Sequence, residues 1–154
     1  MPIVYSIRHG EGLVVSRHIG AVCDQELIDS YRELFNQPDY DPCYNKLVDL
    51  RETDCMERSV KSLECMADLV KIGHACSTER CKTAIVAPHD LSYGLARVFQ
   101  VLVEDTPEEV RVFRELPLAL TWLGIGPGVL EEGWLENMAA GHKAVETGPQ
   151  DNHP

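Results

Sequence analysis

The sequence predicts a single α/β domain over residues 1–124, built on a mostly parallel sheet of four or five strands with helices packed on it. Short apolar runs alternate along the chain with segments whose apolar residues recur at helical spacing, which is typical of parallel strands joined by helical crossovers. The length of 154 residues suits one domain with its own core. The predicted order of elements is ββαβαβαβα.

The segment from Lys82 to Gln100 shows this pattern most clearly. Residues 83–87 form an unbroken apolar run, as expected of a strand covered on both faces, and Pro88 ends it. Asp90 is the predicted cap of the following helix, whose apolar stripe consists of Leu91, Leu95, Val98, Phe99 and Leu102. The turn of such a unit lies at the carboxyl end of a parallel strand, where open α/β sheets usually bind ligands.

The first half of the chain predicts a hairpin, a helix, a strand and a second helix. Strand-like runs at residues 3–7 and 13–19 flank two glycines suited to a tight hairpin, and a helix follows the predicted cap Asp24. Residues 37–44 are a predicted loop, and residues 46–50 a strand. Asp54 and Glu57 have capping-box spacing, which predicts a helix starting at Asp54 with a buried stripe of Met56, Val60, Leu63, Ala67 and Val70.

The last elements are a strand over residues 110–113 and a short helix that ends before Gly124. The composition then changes, because three of residues 124–128 are glycine. Residues 125–154 are therefore assigned to a C-terminal extension. We expect one short helix over residues 129–140 and disorder beyond Gly141.

Charge and hydropathy exclude two classes of function. The chain has 25 acidic and 14 basic residues and a formal charge of −11, which opposes binding to nucleic acid. No apolar stretch is long enough to cross a bilayer, and the amino terminus does not have the pattern of a secretion signal. We expect a cytoplasmic protein without stable membrane insertion.

The six cysteines are interpreted as reduced thiols, because the chain lacks a secretion signal and has ample apolar residues for a core. His74, Cys76 and Cys81 form the tightest group of potential metal ligands. Four residues separate the two cysteines and no second pair at zinc spacing follows. We therefore expect no bound metal and no cofactor.

Catalytic motifs are weak. Ser92 follows His89 and Asp90 closely, but the Gly-x-Ser-x-Gly nucleophile elbow is absent. Gly124 and Gly126 follow a predicted helix rather than a strand, which does not fit a dinucleotide-binding fingerprint. The sequence therefore predicts a protein that is not an enzyme.

Polar residues at or just beyond the carboxyl ends of two predicted parallel strands form the candidate binding site: Asp49, Arg51, His89, Asp90 and Tyr93. They could line a crevice at the carboxyl edge of the sheet and receive an anionic group. A second interpretation is structural. In it, Asp90 caps its helix, His89 is solvated, Tyr93 packs over the sheet edge and Asp49 pairs with Arg51.

Several segments together resemble the small bacterial SpoIIAA-like proteins, relatives of the STAS domains that also carry a SEC14-like label. The likeness runs from Tyr5 to Gly124 and so covers most of the chain. It rests on Gly20 and on LVDLR at 47–51, AIVAP at 84–88, YGLAR at 93–97, VFR at 112–114 and ALTWLG at 119–124. The resemblance implies a STAS-like α/β domain without a known catalytic centre.

The resemblance also implies a regulatory role. In the anti-sigma-factor antagonists of this group, a serine at the start of the helix after the third strand is phosphorylated. Alignment on Asp49 puts Arg58 at that position and Ser59 one residue later, so Ser59 is the candidate phosphorylation site.

Three functions stay open at this point. The first is a non-enzymatic regulatory or protein-interaction module of STAS-like type. The second is a cradle for a small apolar, lipid-like or anionic ligand, and the third is an enzyme with a site at the carboxyl edge of the sheet. An empty cavity lined by side chains would favour the second. The sequence identifies neither the partner nor the ligand, and it is compatible with a homodimer.

Overall fold

The structure is a computed structural model that describes residues 3–126 and 144–146. Strands and helices alternate along the first of these ranges after an opening pair of strands. The elements are β1 (Ile3–Arg8), β2 (Leu13–Ala21), α1 (Asp24–Phe35), β3 (Asn45–Asp54), α2 (Val60–Gly73), β4 (Cys81–Val86), α3 (Asp90–Leu102), β5 (Glu108–Phe113), α4 (Leu116–Leu123) and β6 (Ala144–Glu146). The predicted fold class and the order ββαβαβαβα are confirmed.

The strands of the described residues lie in one six-stranded sheet in the order β5-β4-β3-β2-β1-β6. β1 and β2 form the predicted antiparallel hairpin, and Gly12 in its turn has a φ of 59°, a conformation that glycine adopts without strain. All other neighbouring strands are parallel. Val48 of β3 lies opposite Ile85 of β4, so the two predicted central strands are direct neighbours.

The two faces of the sheet carry different helices. One face packs on α4 through an apolar cluster of Val4, Leu13, Val15, Leu47, Ala84, Val86, Ala119 and Leu123. The other face packs on α1, α2 and α3. Because side chains alternate along a strand, Val14, Ser16 and His18 of β2 face the three helices, whereas Val15 and Arg17 face α4.

The start of α2 differs from the prediction. β3 continues through Asp54, and the helix begins at Val60 with Ser59 as its N-cap. Asp54 Oδ1 instead accepts a hydrogen bond from the backbone N–H of Met56 at 2.8 Å, which forms a tight turn. Met56 and Val60, predicted to be buried, are 76% and 52% exposed.

The start of α3 also needs a correction. Asp90 is the first helical residue and His89 is the N-cap, without a side-chain capping hydrogen bond. Leu91 and Val98 of the predicted stripe are exposed, and Ser92 and Ala96 are the buried residues of this helix. The face of α3 that meets the sheet is therefore rotated relative to the predicted one.

The C-terminal part is described only at residues 144–146, so the predicted helix over residues 129–140 lies outside the described residues. Ala144–Glu146 form β6, which pairs in parallel with Ser6, Ile7 and Arg8 of β1. Disorder was expected at these three residues, but the structure shows a strand. The physical reason is that the edge of β1 offers free backbone groups for pairing. Among the described helices, none is both long and apolar enough to cross a bilayer.

Candidate functional site

The first predicted site residues, Asp49 and Arg51, are engaged with each other. The Asp49 side chain is fully buried, and its two carboxylate oxygens accept hydrogen bonds from Arg51 Nε at 2.9 Å and Nη2 at 3.0 Å. Arg17 Nε lies 3.8 Å from Asp49 Oδ2 and adds a second positive charge. This arrangement matches the structural interpretation of the pair and holds the end of β3 against β2.

The other three predicted residues lie at the start of α3. Asp90 Oδ1 accepts a hydrogen bond from Arg114 Nη1 at 2.7 Å, and the Arg114 guanidinium stacks 4.3 Å from the centre of the Tyr93 ring. His89 and Asp90 are exposed, and the Asp90 side chain is 95% accessible. These contacts connect the start of α3 to Arg114, the residue that follows β5.

The sheet separates these two groups. Asp49 shares the α4 face with Leu47, whereas Tyr93 packs against the apolar cluster under α2 and α3 on the opposite face. The five residues therefore do not line one common crevice as predicted. Their role in binding stays a prediction.

A cavity of about 110 Å³ lies between the sheet and the three helices of the other face. Its walls come from β2, β3, β4, α1, α2 and α3, so residues far apart in the chain meet there. The apolar lining consists of Val14, Leu27, Leu34, Phe35, Val48, Leu50, Leu63, Met66, Val70, Ile85, Leu95, Ala96 and Phe99. This volume is about three quarters of the roughly 150 Å³ of a cavity that binds benzene or xenon in another protein, so any guest is limited to a small molecule or atom of that class.

Three polar side chains form a buried chain of hydrogen bonds on the cavity wall. Tyr31 Oη lies 2.7 Å from Ser16 Oγ and 2.8 Å from His18 Nε2. Burial and the nearby Arg58 charge lower the pKa of His18 to about 3, so its imidazole is neutral at pH 7. Burial raises the pKa of Tyr31 to about 12, so its hydroxyl keeps its proton. The wall therefore offers neutral hydrogen-bonding groups.

Arg58 brings a buried positive charge to the same cavity. Its side chain is 4% exposed and donates to Asp24 Oδ1 at 3.0 Å and to the Val22 carbonyl at 3.1 Å. Burial opposes the charge on Asp24, but hydrogen bonds from Ser59 and Ser62 and the Arg58 charge hold its pKa below the usual value. The Arg58 charge is thus balanced by a carboxylate.

A second polar cluster lies where β4 and β5 begin. Glu108 is buried, with His74 Nε2 at 3.2 Å from Oε2, Thr83 donating to Oε1, and Lys46 Nζ at 3.9 Å from Oε1. Burial opposes its charge, but Lys46 and the hydrogen bonds from His74 and Thr83 outweigh this and keep the pKa of Glu108 low. Lys46, Thr83 and Glu108 also line the cavity.

Neither group of potential catalytic residues has the geometry of a triad. Ser92 Oγ donates to the backbone carbonyl of its predicted partner His89 at 3.0 Å. Cys81 Sγ lies 3.9 Å from His74 Nε2, but this is the same nitrogen that contacts Glu108, so no relay through the ring exists. Burial also raises the pKa of the Cys81 thiol to about 11. Such a thiol is a poor nucleophile.

Ser59 is exposed at the N-cap of α2, at the start of the helix that follows the third strand. Its Oγ donates to Asp24 Oδ2 at 2.6 Å and accepts from the Ser62 N–H at 3.1 Å. Ser59 thus joins the starts of α1 and α2, an arrangement that the sequence does not reveal.

The cavity residues were not predicted as a site. A signal was present in β2, where Ser16 and His18 interrupt an otherwise apolar face, and in Tyr31 within the apolar stripe of α1. Buried polar groups of this kind need partners, which marks them as members of one network. The distance between helices and sheet, which creates the cavity, leaves no such pattern in the sequence.

Comparison with known proteins gives the fold. No protein-family model matches the sequence, and no curated protein is significantly similar to it. The structure is similar to that of an uncharacterized DUF3478-family protein with a SpoIIAA-like fold from Shewanella loihica PV-4, at 21% sequence identity. The similarity covers 79% of this chain and 93% of the other, with a TM-score of 0.50. The chain therefore has a SpoIIAA-like fold, as its sequence resemblance implied.

Proposed function

We propose that this protein is a non-enzymatic binding module of STAS-like type whose ligand is a small, largely apolar molecule. The observation that supports it is the cavity of about 110 Å³ beneath α1, α2 and α3. Protein cores are normally packed with few voids larger than a water molecule, so a space of this size is unusual. Ligand sites in proteins are mostly apolar with a few polar groups, and this cavity has that composition.

The size and chemistry of the cavity limit the ligand. The volume is below that of the benzene-binding cavity of about 150 Å³, so the ligand is at most about one aromatic ring or a short aliphatic chain. Tyr31 Oη already contacts Ser16 and His18, and its hydroxyl has capacity for one further hydrogen bond, which a neutral polar group of the ligand would use. An unpartnered charge on the ligand is disfavoured in the apolar part of the cavity, because burying such a charge there costs free energy.

The test is a titration with small compounds of graded polarity, including indole, phenol, benzoate and hexanol. Methyl signals of the cavity residues Leu27, Leu63 and Leu95 are followed by NMR. We expect saturable shifts at these methyl groups with the neutral aromatic compounds. Ala96→Leu fills the cavity from α3 and should abolish the shifts, whereas the same change at exposed Ala75 should leave them intact.

Two results would contradict the proposal. The first is the absence of saturable shifts with every compound while the protein is folded. The second is equal binding by the Ala96→Leu and wild-type proteins, which would place the ligand elsewhere.

A second function, a partner-binding switch, is favoured by the contact between Ser59 and Asp24. A phosphate on Ser59 would meet the positive end of α2, which stabilises it, and the Asp24 carboxylate, which repels it. Arg58 could leave Asp24 and pair with the phosphate. Phosphorylation would then loosen the contact between the starts of α1 and α2 and change the surface presented to a partner.

Mass spectrometry of the protein isolated from its native cells tests this switch. We expect a phosphate on Ser59 and none on Ser62, which is buried three residues later and serves as an internal control. Trypsin separates the two serines because Lys61 lies between them. A phosphate on neither serine in any growth condition would contradict the switch.

A further inference from the structure

Three potential metal ligands converge in the buried polar cluster at the beginning of β4 and β5. His74 follows α2, Cys81 opens β4 and Glu108 opens β5, and all three residues are buried. Their ligand atoms all lie within 4.8 Å of one another. The sequence-based expectation of no metal considered His74, Cys76 and Cys81. In the structure, Cys76 is exposed, and the third residue of the cluster is Glu108, which is remote in the sequence.

Two of the three distances between ligand atoms are close to those of a metal site. His74 Nε2 lies 3.2 Å from Glu108 Oε2 and 3.9 Å from Cys81 Sγ. In tetrahedral zinc sites, the usual metal–ligand bonds put nitrogen and oxygen about 3.3 Å apart and nitrogen and sulfur about 3.5 Å apart. The third pair, Cys81 Sγ and the Glu108 oxygen, lies within 4.8 Å, so binding one ion requires the thiol and the carboxylate to approach each other by up to about 1.3 Å.

Neighbouring groups hold two of the three ligands, Glu108 and Cys81, in position. Thr83 donates to Glu108 Oε1, which leaves Oε2 directed at His74. Lys46 Nζ is anchored by the carbonyls of Pro42 and Tyr44, both at 3.0 Å, and lies 3.6 Å from Cys81 Sγ. Hydrogen bonds of this kind to the oxygen and sulfur of the ligands are typical of the surroundings of protein metal centres.

The charge balance permits a divalent ion. A thiolate and a carboxylate neutralise its two charges, and the Lys46 ammonium leaves one positive charge in a protein whose net charge is −11. The ammonium opposes the ion, but it also stabilises the thiolate that the ion needs. Glu108 borders both the interior cavity and a surface groove lined by Arg80 and Arg97.

We propose that His74, Cys81 and Glu108 bind one zinc-like transition metal ion through Nε2, Sγ and Oε2. A mixed nitrogen, sulfur and oxygen set favours zinc over magnesium or calcium, which prefer oxygen ligands. The fourth position of the ion is left to a solvent molecule. Binding releases the thiol proton of Cys81 to solvent, and no oxidation or reduction is involved.

Cobalt(II) titration of the reduced protein tests the site, because cobalt substitutes for zinc and its spectrum reports the ligands. We expect one equivalent to give the visible bands of tetrahedral cobalt together with a near-ultraviolet sulfur-to-cobalt band, and zinc to remove both. Cys81→Ser should abolish the sulfur band. The matched change Cys76→Ser, at an exposed thiol five residues away, should leave it unchanged.

The wild-type protein gives a second measurement that does not depend on a folded variant. X-ray absorption at the zinc edge should show one sulfur and about three nitrogen or oxygen neighbours per ion. The proposal is overturned if cobalt gives no sulfur band in the reduced wild-type protein. It is also overturned if the band persists in Cys81→Ser or if the bound zinc has no sulfur neighbour.

Discussion

At the scale of single residues, burial fixes the protonation state of the polar groups on β2. His18 hydrogen-bonds Tyr31 Oη at 2.8 Å and is held neutral by its buried position. The unfolded chain exposes the same imidazole to water, where its pKa returns to 6.5. The unfolded state therefore binds a proton below pH 6.5 that the folded state does not bind until about pH 3.

This difference predicts a loss of stability on mild acidification. Because the folded-state pKa of His18 is lowered, its contribution is fully present above pH 6.5 and is lost as the pH falls towards 3. From pH 7 to pH 5 we expect the free energy of unfolding to fall by about 2 kcal/mol through this residue. Urea unfolding at each pH measures this free energy of unfolding.

His18→Gln is the control, because it keeps a hydrogen-bonding group and does not titrate. Its unfolding free energy should vary less between pH 7 and pH 5, by about the amount assigned to His18. If the free energy of unfolding of the wild-type protein and of the variant changes equally with pH, the conclusion that the buried imidazole is neutral is contradicted.

Asp49 provides a second prediction at this scale. Asp49→Asn removes the buried charge that binds Arg51 and faces Arg17, and we expect a loss of about 3 kcal/mol in unfolding free energy. The matched change Asp90→Asn breaks an exposed pair with Arg114 and should cost less than about 1 kcal/mol. Chemical denaturation of both variants measures the difference. Equal losses would contradict the structural role assigned to Asp49.

At the scale of elements, apolar runs locate the strands well, whereas local chemistry alone misplaces the ends of helices. Residues 46–50 and 83–87 are predicted strands, and the structure has residues 46–50 in β3 and residues 83–86 in β4, with apolar side chains buried on both faces of the sheet. Asp54 and Glu57 have the spacing of a helix start, yet pairing of β3 with β2 continues to Asp54. Because the strand is longer, α2 begins only at Val60. Ser59 is its N-cap, and the Ser59 hydroxyl caps the helix.

The cap predicts a modest loss of stability in Ser59→Ala. The Ser62 N–H loses its acceptor and Asp24 loses a hydrogen-bond donor, so we expect about 1 kcal/mol less free energy of unfolding. Ser30→Ala, the same change inside α1, is the control and should be neutral or slightly stabilising, because alanine favours a helix. Thermal unfolding of both variants measures it. A neutral Ser59→Ala would show that the cap contributes little.

At the scale of the whole molecule, sequence reasoning could predict the fold but not the cavity. Alternation of strands and helices follows from composition along the chain, so the sheet, the hairpin and the helical crossovers were predictable. The cavity depends on how far α1, α2 and α3 stand from β2, β3 and β4, and no local pattern encodes that distance. The convergence of His74, Cys81 and Glu108 is equally a product of the fold.

The central claim is that the space beneath the three helices can hold an apolar guest. A crystal structure of the protein pressurised with xenon measures this directly, because xenon occupies apolar cavities of this kind. We expect xenon among Leu63, Val70, Leu95 and Phe99, with the helices in the positions described. Side chains that fill this space and exclude xenon, while the fold is unchanged, would contradict the claim.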